Sequence, residues 1–280
     1  MERYLIAFDL DGTMLPKVST LPDPVRDIIR RLKADGHIPV IASARPQVMC
    51  DWVYDAMGLD TLMICLNGSL ILHPKDKSFT PRETVLSEEQ IAMIWERALT
   101  AAPDPHQIYI EYGNDFWYLD EAIESSYWSN RLELSRSMPI TDMSKAPHTK
   151  ANRIVFFHRD PAKNAAIESA LADCEDLFWQ TLHSEDKNGV RFYRTMIFDK
   201  RVNKLVGVRA AQELYGIPDE RVLTFGDEWN DYGMLQAFKG GYALKGSSAD
   251  RDGAAQITDD TCAECGVAKT LERLFYAEKQ

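Results

Sequence analysis

The sequence contains no apolar run long enough to form a membrane-spanning helix. Such a helix needs roughly 20 mostly apolar residues in succession, and no segment of the 280-residue chain approaches that length. The apolar run at residues 5–8 is also shorter than the core of a secretory signal. We therefore expect a protein that neither crosses a membrane nor is exported.

The chain also has no excess of basic residues. Lys and Arg total 32 and Asp and Glu total 43, so the formal net charge is −11. Nucleic acids favour basic surfaces because their phosphates supply much of the binding energy, and we expect no nucleic-acid partner. A small phosphorylated molecule is still compatible with this charge, since a metal ion and a few well-placed cations can offset it locally.

Cysteine and histidine are too sparse to indicate a disulfide framework or a zinc site. The five cysteines are odd in number and mostly isolated, which is typical of a reducing cytoplasm. Cys262-x-x-Cys265 has the spacing of redox and zinc motifs, but no second ligand pair accompanies it. The six histidines show no metalloprotease spacing. We interpret the two cysteines as structural and expect a cytoplasmic protein.

Apolar strands and amphipathic helices alternate at both ends of the chain. The predicted strands are 3–8, 38–42, 62–66, 222–225 and 242–244. The predicted helices run from Asp23, the expected N-cap, to Gly36, and over 46–57, 204–215 and 231–238. This alternation is typical of a parallel sheet with right-handed crossovers. It predicts one doubly wound, Rossmann-like α/β domain built from both ends.

The middle of the chain has a different pattern. It contains a predicted hairpin at 109–119, further strands at 152–158, 177–182 and 190–198, and helices at 87–101 and 161–172. We therefore predict a core formed by 1–82 and 198–280, interrupted by an α+β insertion at 83–197. The expected hinges lie near Pro74-Lys75 and Asp199-Lys200.

Two carboxylates stand at the end of the first predicted strand, in the motif Asp9-x-Asp11-Gly-Thr. Side chains two apart on a strand point the same way, and open α/β sheets bind ligands at this edge. Two close anions repel each other unless a cation joins them, and Mg²⁺ prefers such oxygen ligands. Asp-x-Asp alone could be a solvated turn, but the whole motif after a buried strand favours a metal site.

A second acidic motif, Gly226-Asp227-x-x-Asn230-Asp231, follows another apolar strand. Asp227 and Asp231 are four residues apart and therefore share one face of a helical turn. In isolation the motif could be an acidic helix N-terminus, where negative charge is favourable. Its combination with the first motif favours metal binding.

Two further polar residues occupy comparable positions. Ser43 follows the strand at 38–42, where a hydroxyl and backbone N–H groups can bind phosphate oxygens, although an ordinary helix cap would look the same. Lys204 begins the helix after the insertion. Taken alone, such a lysine is usually a solvated surface charge, and only its order relative to the other motifs suggests a function.

These four elements, in this order, resemble the haloacid dehalogenase (HAD) superfamily, and best match its cap-bearing Cof-type phosphatases. The resemblance covers nearly the whole chain, from the motifs at both ends to an insertion of matching size. Leu66-Asn67-Gly68-Ser69 is similar to the Asn-Gly segment of that group. The resemblance implies a HAD core with an inserted α+β cap that sets substrate specificity.

The resemblance also implies catalytic roles for the acidic residues. Asp9 would attack phosphorus and become an aspartyl-phosphate, while Asp11 would protonate the leaving oxygen and then deprotonate the hydrolytic water. Mg²⁺ would be held by Asp9, the backbone carbonyl of Asp11 and Asp227. Asp231 would bind the ion directly or support the site without contacting the ion.

The phosphate-binding groups implied by the resemblance are polar side chains and backbone amides: Ser43, Lys204, the N–H groups around Leu10 and Ala44, and Asn230 nearby. Three positions depart from the group's pattern. Ala44 and Leu205 stand where glycine is common, and the usual asparagine is missing near Gly246-Ser247-Ser248. None of these changes removes a charge that the chemistry needs.

The sequence therefore predicts a Mg²⁺-dependent phosphatase that acts on a small phosphorylated metabolite, with a sugar phosphate the favoured class. A cap of the predicted size would obstruct a macromolecular substrate. Phosphotransfer of the phosphomannomutase kind and non-enzymatic sensing of a phosphometabolite are the alternatives. The sequence leaves open whether the protein is a monomer or a small homo-oligomer.

Overall fold

The computed structural model describes residues 2–17, 19–103, 105, 107–119, 136–140, 149–185 and 188–277. The chain divides into two compact units, the first formed by Met1–Arg82 with Asn203–Gln280 and the second by Glu83–Val202. The second unit ends at Val202 rather than at residue 197, because its last strand continues to Asp199 and Val202 packs into its apolar core.

The first unit contains an eight-stranded sheet in the described ranges, with the order β14-β13-β12-β1-β2-β3-β4-β5. Its strands, numbered in chain order, are β1 (Leu5–Phe8), β2 (Ile38–Ala42), β3 (Met63–Cys65), β4 (Leu70–Leu72), β5 (Arg82–Glu83), β12 (Val222–Gly226), β13 (Gly240–Ala243) and β14 (Gln256–Ile257). The strands from β14 to β3 are parallel, whereas β4 returns antiparallel to β3. Because β3 and β4 are separated by a short turn, no crossover helix can fit between them.

Helices cover both faces of this sheet, as a doubly wound fold requires. They are α1 (Asp23–Ala34), α2 (Gln47–Ala56), α5 (Lys204–Tyr215), α6 (Tyr232–Gln236), α7 (Ala249–Asp252) and α8 (Gly266–Phe275). Ile29, Val53 and Leu271 belong to one apolar cluster, and Val208 and Met234 belong to another. The doubly wound α/β core predicted from the alternating pattern is confirmed.

The N-cap expected for the first helix is wrong. The helix begins at Asp23 itself, with Pro22 in the capping position and no side-chain cap. The Asp23 carboxylate instead accepts a hydrogen bond from Arg26 at 2.7 Å. An acidic residue in the first turn still interacts favourably with the helix dipole, so the sequence pattern located the helix but not the role of its first residue.

The second unit has a six-stranded, mainly antiparallel sheet in the described ranges, with the order β10-β11-β9-β6-β7-β8. Its strands are β6 (Gln107–Tyr112), β7 (Asp115–Leu119), β8 (Arg136–Ile140), β9 (Arg153–His158), β10 (Leu177–Glu185) and β11 (Arg191–Asp199). Helices α3 (Glu88–Ala101) and α4 (Pro161–Leu171) share an apolar cluster with residues of β6 and β9. The predicted hairpin is confirmed as β6 and β7.

None of the helices in the described ranges is long and apolar enough to cross a membrane.

The positions of the strand ends matter most for function. β1 lies between β12 and β2, and Phe8 is in register with Phe225 on one side and Ile41 on the other. Because all three strands are parallel, their carboxyl ends meet at the same edge of the sheet. The residues that follow them, including Asp9, Ser43 and Asp227, therefore start from neighbouring positions.

We predict that adding one methyl group at Gly207 destabilises the first unit. A Cβ at this position of α5 would lie 2.5 Å from Cγ2 of Ile64. Gly207→Ala should therefore lower the free energy of unfolding by about 1–3 kcal/mol, as overpacked cores do, and the measurement is urea denaturation. Gly233→Ala is the matched helical control, because its Cβ would meet only Leu205, at 3.8 Å. Equal effects of the two changes would contradict this account of the packing.

Candidate active site

Backbone pairing brings the two acidic motifs together. The N–H of Asp9 donates a hydrogen bond to the carbonyl of Phe225 at 2.9 Å, so the end of β1 is joined directly to β12. Asp227 follows β12, and a short 3₁₀ turn then carries the chain to Asp231. The structure thus brings Asp9 of the first motif together with Asp227 and Asp231 of the second.

The centre of the site is a buried acidic triad formed by Asp9, Asp227 and Asp231. Each offers a carboxylate oxygen, and these oxygens lie within 4.8 Å of one another. Asp231 is fully buried, and its Oδ2 accepts the backbone N–H groups of Asp227 at 3.0 Å and Glu228 at 3.2 Å. Gly226 leaves room for this turn, since a Cβ there would lie 2.4 Å from Cβ of Asp231.

Lys204 lies inside this triad. Its Nζ donates hydrogen bonds to Oδ1 of Asp9 at 2.5 Å and to Oδ1 of Asp231 at 2.6 Å, and the residue is 1% exposed. Burial acts to lower the pKa of Lys204, but the two carboxylates outweigh it and hold the pKa above its usual value. Lys204 is therefore a buried cation and not a solvated surface charge.

Burial and mutual repulsion raise the pKa values of two members of the triad. Burial raises the pKa of Asp9 to about 7, against the attraction of Lys204. Burial and the facing Asp9 raise the pKa of Asp227 to about 9. Both shifts have the same cause, which is negative charge held away from water with one ammonium to offset it.

The triad fits a divalent cation. Three carboxylates and one ammonium leave two uncompensated negative charges when all are ionised, and every available ligand atom of the triad is a hard oxygen. The position of Asp227 is defined by its neighbours. Oγ1 of Thr13 donates to Oδ1 of Asp227 at 2.9 Å. Gly12 has a φ of 79°, and a Cβ there would lie 2.1 Å from Oδ2 of Asp227.

Asp11 is held apart from the triad by Arg45, a residue to which the sequence patterns assigned no role. Nε of Arg45 donates to Oδ2 of Asp11 at 2.8 Å, and Nη2 donates to Oδ1 at 2.5 Å. Arg45 is 2% exposed, whereas Asp11 is exposed. A bidentate pair of this kind specifies orientation as well as charge. An arginine two residues after Ser43, the serine predicted to bind phosphate, was the signal available in the sequence.

The candidate phosphate-binding residues line neighbouring turns of the same unit. Ser43 is fully buried at the end of β2, and its Oγ accepts the N–H of Arg45 at 3.2 Å. The backbone N–H groups of Leu10 and Ala44 donate to no backbone oxygen within the described ranges. Asn230 donates through Nδ2 to Oδ1 of Asn67 at 3.0 Å, so its amide joins two loops of the site.

The Asn67-Gly68 segment has a structural role that its sequence did not reveal. Asn67 takes a left-handed φ of 59° and Gly68 a φ of 95°. A Cβ on Gly68 would lie 2.2 Å from the carbonyl oxygen of Asn203. Asn203 caps α5 by accepting the N–H of Val206 at 3.0 Å, so this close contact defines where Lys204 begins the helix.

The chain matches the family model for haloacid dehalogenase-like hydrolases over residues 6–271. This protein belongs to that family. It is 30% identical to 5-amino-6-(5-phospho-D-ribitylamino)uracil phosphatase YitU of Bacillus subtilis (strain 168), with 97% of each chain covered. It is 28% identical to pyridoxal phosphate phosphatase YbhA of Escherichia coli (strain K12), over 87% of this chain and 88% of the relative.

Solved structures of HAD hydrolases have the same fold. A haloacid dehalogenase-like hydrolase from Bacteroides thetaiotaomicron superposes with a TM-score of 0.79 at 22% identity, covering 98% of this chain and 100% of the other. A HAD subclass IIB sugar phosphatase superposes with a TM-score of 0.74 at 17% identity, covering 97% and 98%. The curated relatives are phosphatases, and this HAD protein is accordingly a phosphatase.

The departures from the HAD pattern are accommodated by other residues. Ala44 does not take a positive φ, so the missing glycine causes no backbone strain there. Close packing in α5 uses Gly207, three residues after Lys204, while Leu205 packs beside an apolar cluster. Where asparagine is usual, Oγ of Ser248 lies 3.1 Å from the carbonyl oxygen of Asp227 and 2.8 Å from Oε2 of Glu228, and its one proton can be donated to either.

We predict that the stabilisation of this HAD protein by Mg²⁺ grows with pH. The pKa values of Asp9 and Asp227 are raised in the folded state. Their contribution to stability is therefore complete below about pH 4 and is lost as the pH rises through about 7 and then about 9. We expect Mg²⁺ to bind the ionised carboxylates and to offset this loss, by about 2.7 kcal/mol at a concentration 100 times Kd.

The measurement is calorimetric Tm with Mg²⁺ and with chelator, at about pH 5 and about pH 9. The difference between the two conditions should be larger at the higher pH. Asp227→Asn should reduce the Tm increase produced by Mg²⁺ at both pH values, because it removes one of the three carboxyl groups that can bind the ion. An equal Mg²⁺ response of the native protein at both pH values would contradict the raised pKa values.

We predict that Arg45 acts on turnover by positioning Asp11. Arg45→Lys keeps a positive charge but cannot form two parallel hydrogen bonds. It should lower kcat by up to ~10²-fold, the scale reached when a reacting group is misplaced, and change KM less. Arg26→Lys is the matched control, since Arg26 also contacts carboxylates through two nitrogens but lies on the surface of α1. A change in KM with an unaltered kcat would refute the positioning role.

Proposed function

We propose that this protein is a Mg²⁺-dependent phosphatase that hydrolyses a small phosphorylated metabolite through an aspartyl-phosphate on Asp9. The observation that carries the proposal is the position of Lys204, whose ammonium bridges Asp9 and Asp231 inside a buried acidic triad. An ammonium is costly to bury without anionic partners, and here two carboxylates hold it in place at the centre of the site. Beside a transferring phosphoryl group it has a direct use, because charge develops on the phosphoryl oxygens.

In the proposed first step, a carboxylate oxygen of Asp9 attacks phosphorus as the ester bond to the leaving oxygen breaks. We assign this attack to Oδ2, because Oδ1 accepts the hydrogen bond from Lys204. Asp11 supplies the proton that the leaving alcohol needs. To do so it must release at least one of its two hydrogen bonds from Arg45.

In the proposed second step, Asp11 takes a proton from water, the water oxygen attacks phosphorus, and the bond from phosphorus to Asp9 breaks. Inorganic phosphate leaves, and both carboxyl groups return to their starting states. A carboxylate nucleophile divides one difficult displacement into two easier ones. After the first step Asp11 is a carboxylate, and Arg45 can again hold it at both oxygens until it takes the proton from water.

The cation would be held by Asp9, Asp227 and the backbone carbonyl of Asp11, with Asp231 as a further ligand or a support. When bound, Mg²⁺ would offset negative charge on the phosphoryl oxygens. Ser43, Lys204 and the backbone N–H groups of Leu10 and Ala44 would bind the same oxygens. Asn230 lies on a neighbouring turn, and its hydrogen bond to Asn67 would hold the phosphate-binding loops together.

We propose a phosphorylated sugar or sugar alcohol as the substrate class, with 5-amino-6-(5-phospho-D-ribitylamino)uracil the first compound to test. The relative at 30% identity is named for this compound, which carries its phosphate on a ribityl chain. The relative at 28% identity is named for pyridoxal phosphate, which serves as the comparison substrate. We assign substrate selection to the Glu83–Val202 unit. The five free cysteines are consistent with a cytoplasmic reaction.

The test is phosphate release from these two compounds, a set of hexose phosphates and p-nitrophenyl phosphate, with Mg²⁺ and with chelator. We expect Mg²⁺-dependent release without any acceptor sugar, and the ribityl compound should have the highest kcat/KM. Transfer of the phosphoryl group to an added sugar, without release of inorganic phosphate, would instead favour phosphotransfer. Tight binding of a phosphorylated compound without turnover would favour the sensor function.

We predict that Asp9→Asn reduces hydrolysis by more than about 10³-fold, because it removes the nucleophile. Asp60→Asn, a surface carboxylate that pairs with Lys33, is the matched control and should retain full activity. Rapid acid quenching of the native protein during turnover should trap phosphate on the peptide that contains Asp9. Undiminished hydrolysis by Asp9→Asn would overturn the proposed mechanism.

A further inference from the structure

The turn before α8 contains two cysteines that the proposed reaction does not use. Cys262 begins a 3₁₀ turn, and the N–H of Cys265 donates to the carbonyl of Cys262 at 3.0 Å. A turn closed by such a bond brings its first and fourth Cα atoms to within about 7 Å of each other, and a disulfide needs roughly 4.4–6.8 Å. Both residues are partly exposed, so a reagent in solution can reach them.

The backbone of this turn is held in place by its own hydrogen bonds. Thr261 and Glu264 form a reciprocal capping box, and the N–H of Gly266 donates to the carbonyl of Thr261 at 2.9 Å. Cys265 has a left-handed φ of 62°, which is uncommon for a residue with a Cβ. The two cysteines are thus kept on one preformed turn, and little further ordering is needed to join them.

The turn lies close to the acidic triad. The Cys262 side chain packs against the apolar cluster that contains Leu10, the residue between the two carboxylates of the first motif. Burial, together with the negative charges of Asp227 and Asp9, raises the pKa of Cys262 to about 12. The preceding loop is joined to the sheet, because Thr258 donates to the carbonyl of Ala243 at 2.9 Å.

We propose that Cys262 and Cys265 form a reversible disulfide in exchange with low-molecular-weight disulfides, and that its formation weakens cation binding at the acidic triad. The other cysteines in the structure offer no comparable site. Cys50 and Cys65 are hydrogen-bonded to each other, but both are fully buried and out of reach of a reagent in solution, and Cys174 lies in the second unit. The proposal does not depend on the identity of the substrate.

The exchange has two steps. The Cys265 sulfur attacks one sulfur of the small disulfide, whose S–S bond breaks and releases one thiol, leaving a mixed disulfide on Cys265. The Cys262 thiol then loses its proton, attacks the Cys265 sulfur and releases the second thiol. Overall, two protein thiols are oxidised and one small disulfide is reduced to two thiols. Cys262 is a poor first nucleophile, because its high pKa leaves it almost fully protonated near neutral pH.

The same negative surroundings should make the disulfide persistent once it has formed. In strongly oxidising cysteine pairs, the reduced form is stabilised as a thiolate. Here the thiolate is not stabilised, so reduction of the disulfide is less favourable. Both cysteines pack against the apolar cluster that contains Leu10, so a bond between their sulfurs changes the packing there. Leu10 stands between Asp9 and Asp11, so through this shared cluster the change in packing should reach the cation site.

The experiment equilibrates the full chain with a series of glutathione and glutathione-disulfide mixtures. Alkylation and peptide mass spectrometry then identify the bonded cysteines, and calorimetry measures the Tm increase produced by Mg²⁺. We expect an internal disulfide between Cys262 and Cys265. We also expect a several-fold rise in the Mg²⁺ concentration that gives half of the full Tm increase.

Cys265→Ser should abolish both effects, and Cys174→Ser, the matched control, should behave as the native chain. Two free thiols at positions 262 and 265 under the most oxidising mixture would overturn the proposal. A disulfide that leaves the Mg²⁺ response unchanged would overturn its link to the cation site. Neither measurement uses a substrate, so a failure of the proposed phosphatase reaction would be recognised separately in the phosphate-release assay.

Discussion

The ammonium of Lys204, hydrogen-bonded between the carboxylates of Asp9 and Asp231, is the interaction on which the site depends. Each of these groups would be costly to bury alone, and together with Asp227 they still carry uncompensated negative charge. The pKa values of Asp9 and Asp227 are raised because this excess of negative charge is buried. A cation and a phosphate ester are the two ligands that such a cluster can accommodate together, since one offsets the carboxylates and the other engages the ammonium.

The strands and turns of the first unit determine where these charged side chains lie. Apolar strands bury the centre of the sheet and bring the ends of β1, β2 and β12 to one edge, where polar residues begin. Small residues then allow the turns to approach closely. Gly12 leaves room for the Asp227 carboxylate, and Gly68 leaves room for the backbone at Asn203, from which the helix carrying Lys204 starts. The geometry of the site therefore depends on the space left by these glycines as much as on the charges.

Much of this arrangement was predictable because the information is local. The bounds of the helix at 204–215 and the doubly wound core followed from apolar periodicity, and the acidic residues followed from two short motifs at strand ends. The antiparallel β4 and the cap of the first helix were not predictable in the same way. A short turn after β3 and a salt bridge from Asp23 to Arg26 decided them, and neither leaves a periodic signal.

By itself, the sequence determined the family, the order of the main strands and helices of the core and the two acidic motifs, because motif spacing and hydrophobic period depend only on neighbours along the chain. Only the tertiary structure decided which of these groups touch. It separated Asp11 from the triad through Arg45, buried Lys204 among carboxylates, and joined Asn230 to Asn67. Such contacts connect residues far apart in sequence, and their distances follow from how the strands and helices pack in three dimensions.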